Sequence, residues 1–184
     1  MSHGPLPMRA PDRPARAAGQ RRAARHRCAA SNRCAASNRC AAWQLLAHGA
    51  DGRKADDTGK PPVVYAAAGG QLGIVKQLLA LDIDINARYA NDLTLLMWAA
   101  GPDETVPEAQ TLEVVSYLLD AGAKVDERDA RGRTALMIAA EGNHPAIAKA
   151  LLAHGADAAL ADKAGKHAAD LTILSALREE LTPR

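Results

Sequence analysis

Leu118-Leu119-Asp120-Ala121-Gly122-Ala123-Lys124 and Leu151-Leu152-Ala153-His154-Gly155-Ala156-Asp157 are two copies of one short pattern. It also occurs as Leu45-Leu46-Ala47-His48-Gly49-Ala50-Asp51 and, with Asp82 in the Gly position, as Leu78-Leu79-Ala80-Leu81-Asp82-Ile83-Asp84. The leading leucines stand 33, 40 and 33 residues apart, so the chain repeats with a period of 33 and carries seven extra residues in one unit. A second element keeps the same phase: Pro61-Pro62-Val63-Val64-Tyr65-Ala66-Ala67, Thr94-Leu95-Leu96-Met97-Trp98-Ala99-Ala100 and Thr134-Ala135-Leu136-Met137-Ile138-Ala139-Ala140.

Both elements predict helices. Thr134 stands where an N-cap belongs, and Pro62 falls in a first turn, where a missing N–H costs nothing. Ile74, Val75, Leu78 and Leu79 form one broad apolar stripe, repeated by Val114, Val115, Leu118 and Leu119. Burial of each such aliphatic side chain contributes about 1.5–3 kcal/mol. Gly49, Gly122 and Gly155 close the second helix of each unit in the left-handed region, and Asp82 takes that place less comfortably. His48 and His154, just before their glycines, can meet the last free carbonyls of the helix. Hydrophobic residues make up 48% of the chain, yet aromatics only 3% and Phe is absent. The core is therefore small and aliphatic, and the Ala-Ala pairs allow helices to approach closely. Polar, turn-rich links run from Gly52 to Gly59, Ala87 to Asp92, Glu127 to Gly132 and Ala161 to Gly165.

Over residues 39–182 these motifs resemble the ankyrin-repeat family, whose 33-residue unit opens on T-P-L-H-x-A. The resemblance implies an all-α solenoid of stacked helix-turn-helix units with β-hairpin-like finger loops. Its divisions are a disordered basic arm (1–38), a partial repeat (39–58), a repeat (59–91), a repeat with the insertion (92–131), a repeat (132–164) and a C-terminal cap (165–184). The histidine of the family motif is replaced by Val64, Met97 and Met137, so the hydrogen bonding it makes between units is lost. In the cap, Ile173, Leu174 and Leu177 are expected to face inward and Arg178, Glu179 and Glu180 outward. The insertion lies within residues 101–111 and is expected to be a loop, stiffened by Pro102 and Pro107 and made acidic by Asp103, Glu104 and Glu108.

The net charge of +2 conceals a division. Residues 1–42 hold nine Arg and one acid, Asp12, a net of +8; the remaining 14 basic and 20 acidic residues give −6. The arm could touch nucleic acid or an anionic surface, although it has no aromatic residue for base stacking. Cys28, Cys34 and Cys40 are six apart within a duplicated Arg-Cys-Ala-Ala-Ser-Asn hexamer, which gives neither the close pairs of a structural zinc site nor an even count for disulfides. No apolar run is long enough to cross a membrane, and the first residues are not expected to act as a secretory leader because they lack its apolar core, although the Arg-rich start overlaps in composition with transit peptides. The expectation is a cytoplasmic monomer, with the periplasm and an organelle open. No Gly-rich phosphate loop, G-x-S-x-G or H-E-x-x-H occurs, so neither catalysis nor a cofactor is expected.

The resemblance implies a non-catalytic module that binds another protein on a concave surface of finger tips and first-helix edges, nucleic acid being the less favoured partner. Mapped onto this chain, the candidate contacts are Asp57, Thr58 and Lys60; Arg88, Tyr89, Asn91 and Leu93; Arg131, Arg133 and Glu141; and Lys163 and Lys166. Ala68, Gly69, Ala90, Pro102, Ala130, Gly142 and Ala164 share the same register. Two readings of the Tyr89 finger stand side by side: an exposed Tyr89–Leu93 pair flanked by Arg88, Arg131 and Arg133 forms a hot spot, because Tyr and Arg are enriched at such places, or Tyr89 packs back on the stack.

Overall fold

A computed structural model describes residues 51–101 and 105–182. The basic arm, the cysteine hexamers, Leu45 to Gly49 of the partial repeat, and Pro102, Asp103 and Glu104 of the insertion lie outside the described residues. First helices form at α1 (Pro62–Ala68), α3 (Leu95–Ala100), α5 (Ala135–Glu141) and α7 (Ala168–Leu171). Second helices form at α2 (Leu72–Leu79), α4 (Glu108–Asp120), α6 (Pro145–Ala153) and α8 (Ser175–Leu181). The starts of the first helices keep the spacing of 33, 40 and 33 found in the sequence. Among the described residues there is no strand, only an isolated antiparallel bridge between Ala161 and His167. None of the described helices is long and apolar enough to cross a membrane.

The local signals act as their chemistry demands. The hydroxyls of Thr94 and Thr134, both buried, accept from the N–H groups of Met97 and Met137 at 3.4 Å, and Pro62 opens α1. His154 places Nδ1 2.8 Å from the Ala150 carbonyl at the end of α6. At the close of α4 and α6, Gly122 and Gly155 adopt φ of 89° and 86°, and after α2 Asp82 is forced to 58°.

Packing runs both within and between pairs: α1 lies on α2 and α3, α3 on α4 and α5, and α5 on α6 and α7, while α4 touches α2 and α6. Leu78, Leu118 and Leu151 are all completely buried, one each from α2, α4 and α6. Ala66, Ala67, Ala99, Ala100, Ala139 and Ala140 lie in the same core, with no large side chain to hold the first helices apart. Val64, Met97 and Met137 are each 1% exposed, so apolar packing occupies the place of the family's histidine. Hydrogen bonds between units come instead from the finger bases. Arg88 Nη1 donates to the Arg128 carbonyl at 2.7 Å, and Arg128 Nη1 donates to that of Ala161 at 3.2 Å. Asn86 accepts from the Lys124 N–H at 2.8 Å, and Asp126 accepts from that of Asp157 at 3.1 Å.

Two expectations change. The insertion is not simply a loop. Helices α2 and α6 begin six residues before their buried leucines, but α4 begins ten before Leu118, so part of the insertion adds about one helical turn. That turn works on both neighbours. It comes so close to Gly70 (φ 65°) that a Cβ there would meet Gln110 Cβ at 2.8 Å. On the other side, Glu108 Oε1 accepts from the N–H groups of Ala146 and Ile147 at 2.8 and 3.3 Å, capping α6, whose own N-cap, His144, makes no side-chain cap bond. In the cap, Ile173 is 82% and Leu174 39% exposed, because both precede α8 and sit in the connector. The inward face of α8 is Leu177 and Leu181, one turn apart.

Two stability measurements follow. Asp82→Gly should raise the unfolding free energy by about 0.5–1 kcal/mol in a urea titration by relieving left-handed strain, whereas Gly122→Ala, with open space around the new Cβ, should lower it by about 1 kcal/mol. Glu108→Ala should cost about 1 kcal/mol through loss of the α6 cap, and Glu108→Gln, which keeps an acceptor oxygen, should recover most of it; equal losses for both would count against the cap.

Candidate functional site

Each helix pair is preceded by a tight finger with a backbone bond spanning five residues, Asp56 N–H to the Lys60 carbonyl, Tyr89 to Leu93, Asp129 to Arg133, and Asp162 to Lys166, at 2.9–3.0 Å. Three of the fingers start on an aspartate that accepts from its own loop. Asp56 Oδ1 takes the N–H groups of Thr58 and Lys60, Asp129 Oδ1 those of Arg131 and Arg133, and Asp162 Oδ1 those of Ala164 and Lys166. Burial alone would raise the Asp56 carboxyl, but bonds from the Tyr65 and Thr58 side chains and from the backbone outweigh it and hold the group at about 2. The Lys166 N–H similarly lowers Asp162. These carboxylates are turned into their own loops.

The finger of residues 89–93 is different. Tyr89 occupies the aspartate position and has no carboxylate to offer. Asp92, at φ 59°, takes the left-handed position that Gly59, Gly132 and Gly165 hold at 76–79° in the other fingers, and Asn91 before it is also left-handed at 61°, a region that these short polar side chains tolerate. Of the two readings of Tyr89, the structure takes the packed one: together with Leu93 it is partly buried against the core. Its buried hydroxyl has no hydrogen-bond partner, and burial followed by the Asp84 charge pushes its phenol up.

The other flanking residues are also redistributed. Arg133 is buried, with Nε 3.1 Å from Asp129 Oδ2 and Nη1 2.6 Å from Glu141 Oε2. Arg88 is held by Glu127 and the Arg128 carbonyl. Both are structural ties between loops and helices. Asp57, Thr58, Asn91, Arg131, Glu141, Lys163 and Lys166 are exposed, and Lys60 is half-buried. Lys163 Nζ reaches the Ala130 carbonyl at 2.7 Å, and Arg131, whose side chain is 71% exposed, stands 3.9 Å from Asp129.

A row that the candidate list omits runs along the first helices. Tyr65, Trp98 and Ile138 occupy the same place in α1, α3 and α5, immediately before the buried Ala-Ala pairs. Tyr65 is 49% exposed and donates to Asp56 Oδ2 at 2.6 Å; Trp98 and Ile138 are half-buried. Lys60 extends from its finger over this row, with Nζ 4.9 Å from the centre of the Trp98 ring and 6.0 Å from that of Tyr65. Fingers and first helices therefore share one face. The sequence held the signal: of the large residues, one always precedes Ala-Ala. A separate, open depression of about 380 Å³ lies between α2 and α4, bordered by Gly70, Gln77, Gln110 and Glu113.

The comparisons with known proteins agree with this geometry. The family model described as ankyrin repeats in three copies matches residues 29–108 and 90–162. The chain is 34% identical over 116 residues, 61% of its length, to the ankyrin repeat and KH domain-containing protein mask-1 of Caenorhabditis elegans. It is 30% identical over 108 residues, 59% of its length, to the transient receptor potential cation channel subfamily A member 1 homolog of the same organism. It spans only 4% and 8% of those two proteins. Ankyrin repeats generally mediate protein–protein interaction and are typically non-catalytic. With the family model covering more than two thirds of the sequence and the helix pairs recurring in its register, the chain belongs to the ankyrin-repeat family.

Proposed function

We propose that this chain is a non-catalytic docking module that binds a partner protein across the face formed by the fingers and first helices. The observation that carries this reading is the row Tyr65, Trp98 and Ile138, left partly open to solvent beside the exposed finger residues Arg131, Lys163 and Lys166. Aromatic and arginine side chains on a preformed surface are the groups that bind most strongly at protein interfaces. The surface is rigid because its loops are held by internal carboxylate–backbone bonds, so little conformational entropy is lost on binding. Arg133 and Arg88 serve by holding this surface in shape, and Tyr89 and Leu93 form part of its floor.

The competing reading assigns binding to the Arg-rich residues 1–42, through phosphate contacts on a nucleic acid or an anionic surface. Quantitative affinity capture from native cells separates the two. Three full-length variants are compared with the parent: Tyr65→Ala with Arg131→Ala, the exposed α4 control Glu113→Ala, and one with Arg9, Arg13, Arg16, Arg21 and Arg22 changed to glutamine. The captured partner should be lost only with the first, while its melting temperature stays within a few degrees of the parent. Loss with the arm variant alone overturns the docking reading.

A further inference from the structure

We propose that the docking face is a two-part groove whose ligand is an extended acidic peptide segment carrying an aromatic or large aliphatic anchor. The proposal rests on the docking reading and specifies its ligand. One half is apolar. Tyr65 and Trp98 line it, and Leu93 replaces the basic residue present at the same place in the other fingers, as Lys60, Arg133 and Lys166. The other half is basic: Arg131, Lys163 and Lys166 are exposed on the last two fingers.

Three observations favour an acidic ligand. The carboxylates nearest those cations are already committed: Asp129, 2% exposed, and Asp162 both accept from their own loops, and Glu141 is bound to Arg133. The positive charge of the finger tips is therefore offset by few carboxylates from within. Lys60 forms no ion pair among the described residues and is held over the Trp98 ring, so an incoming carboxylate finds a placed ammonium directly beside an apolar floor. A basic ligand would have to displace Lys60 from the ring and face Arg131, Lys163 and Lys166. The remaining tip acids, Asp57 and Asp92, lie on the first two fingers. This gives the ligand a direction: the anchor lies over Tyr65 and Trp98, and the acidic stretch over Arg131, Lys163 and Lys166. Neighbouring helix pairs are about 10 Å apart, and an extended peptide rises about 3.3 Å per residue, so roughly nine residues would span the four fingers.

The test pans phage-displayed random dodecapeptides on the full chain, then measures the enriched peptides by fluorescence anisotropy. Enrichment of Asp and Glu to one side of an aromatic or large aliphatic residue is expected, with binding that weakens as salt is raised. Arg131→Glu with Lys166→Glu should weaken it at least tenfold, and Tyr65→Ala several-fold, while circular dichroism and melting temperature remain near those of the parent. Enrichment of Lys and Arg, or of peptides with no charge preference, overturns the acidic-peptide proposal and leaves the docking reading standing. Absence of any enriched sequence overturns the proposal as well; if native-partner capture is also indifferent to Tyr65 and Arg131, the docking reading falls with it.

Discussion

A pair of short helices joined by a tight turn cannot cover the apolar stripe on its own second helix. Leu78, Leu118 and Leu151 are nevertheless completely buried, because helix pairs stack and each stripe becomes part of a core shared with its neighbours. Everything else in the structure follows from that need. The first helices must come close, so they carry Ala-Ala where they meet. The links between pairs must turn without entering the core, so they become polar fingers on one side. The outer edges of the first helices face the fingers, and there side chains as large as Tyr65 and Trp98 can stand, Trp98 with part of its surface still packed against the core.

Regular stacking requires hydrogen bonds between units, and this chain makes them differently from its family's usual motif. Methionine and valine fill the histidine position with apolar volume, and the ties move to the finger bases, where Arg88 and Arg128, and Asn86 and Asp126, repeat one another's contacts in register. The insertion adds a further tie. By lengthening α4 by one turn it brings Glu108 to the N-terminus of α6 and sets Gln110 against Gly70, so one unit holds both of its neighbours. Loss of one intrinsic link is thus accompanied by others of different chemistry, and the face of fingers and first helices is carried on a connected stack.

The finger of Tyr89 illustrates how a single residue type changes a surface. Where the other fingers use an aspartate to gather two backbone N–H groups, this one places a phenol; its fourth residue, Asp92, takes the left-handed conformation that glycine holds in the other three, and Asn91 before it is left-handed as well. Tyr89 and Leu93 pack against the core, so this finger presents apolar side chains at the two positions where the others carry an aspartate and a basic residue. The apolar character proposed for the first half of the face rests in part on that exchange.

The period of 33, the helix pairs, the Thr caps, the Gly closures and the buried leucine row were all legible in the sequence, because each depends on neighbours within one turn or on a pattern repeated at fixed spacing. Much of the candidate surface was legible too, but only as register: position in the repeat says that residues 60, 93, 133 and 166 are equivalent, not whether each side chain is free. Tertiary structure decided that. It buried Arg133 because Asp129 and Glu141, four positions before it and eight after, converge on its guanidinium. It exposed Ile173 because α8 begins two residues later, and it made an inserted glutamate the cap of a helix 38 residues away. Such contacts have no period, since they depend on where separate segments meet in space, and a one-dimensional pattern carries no distance between them.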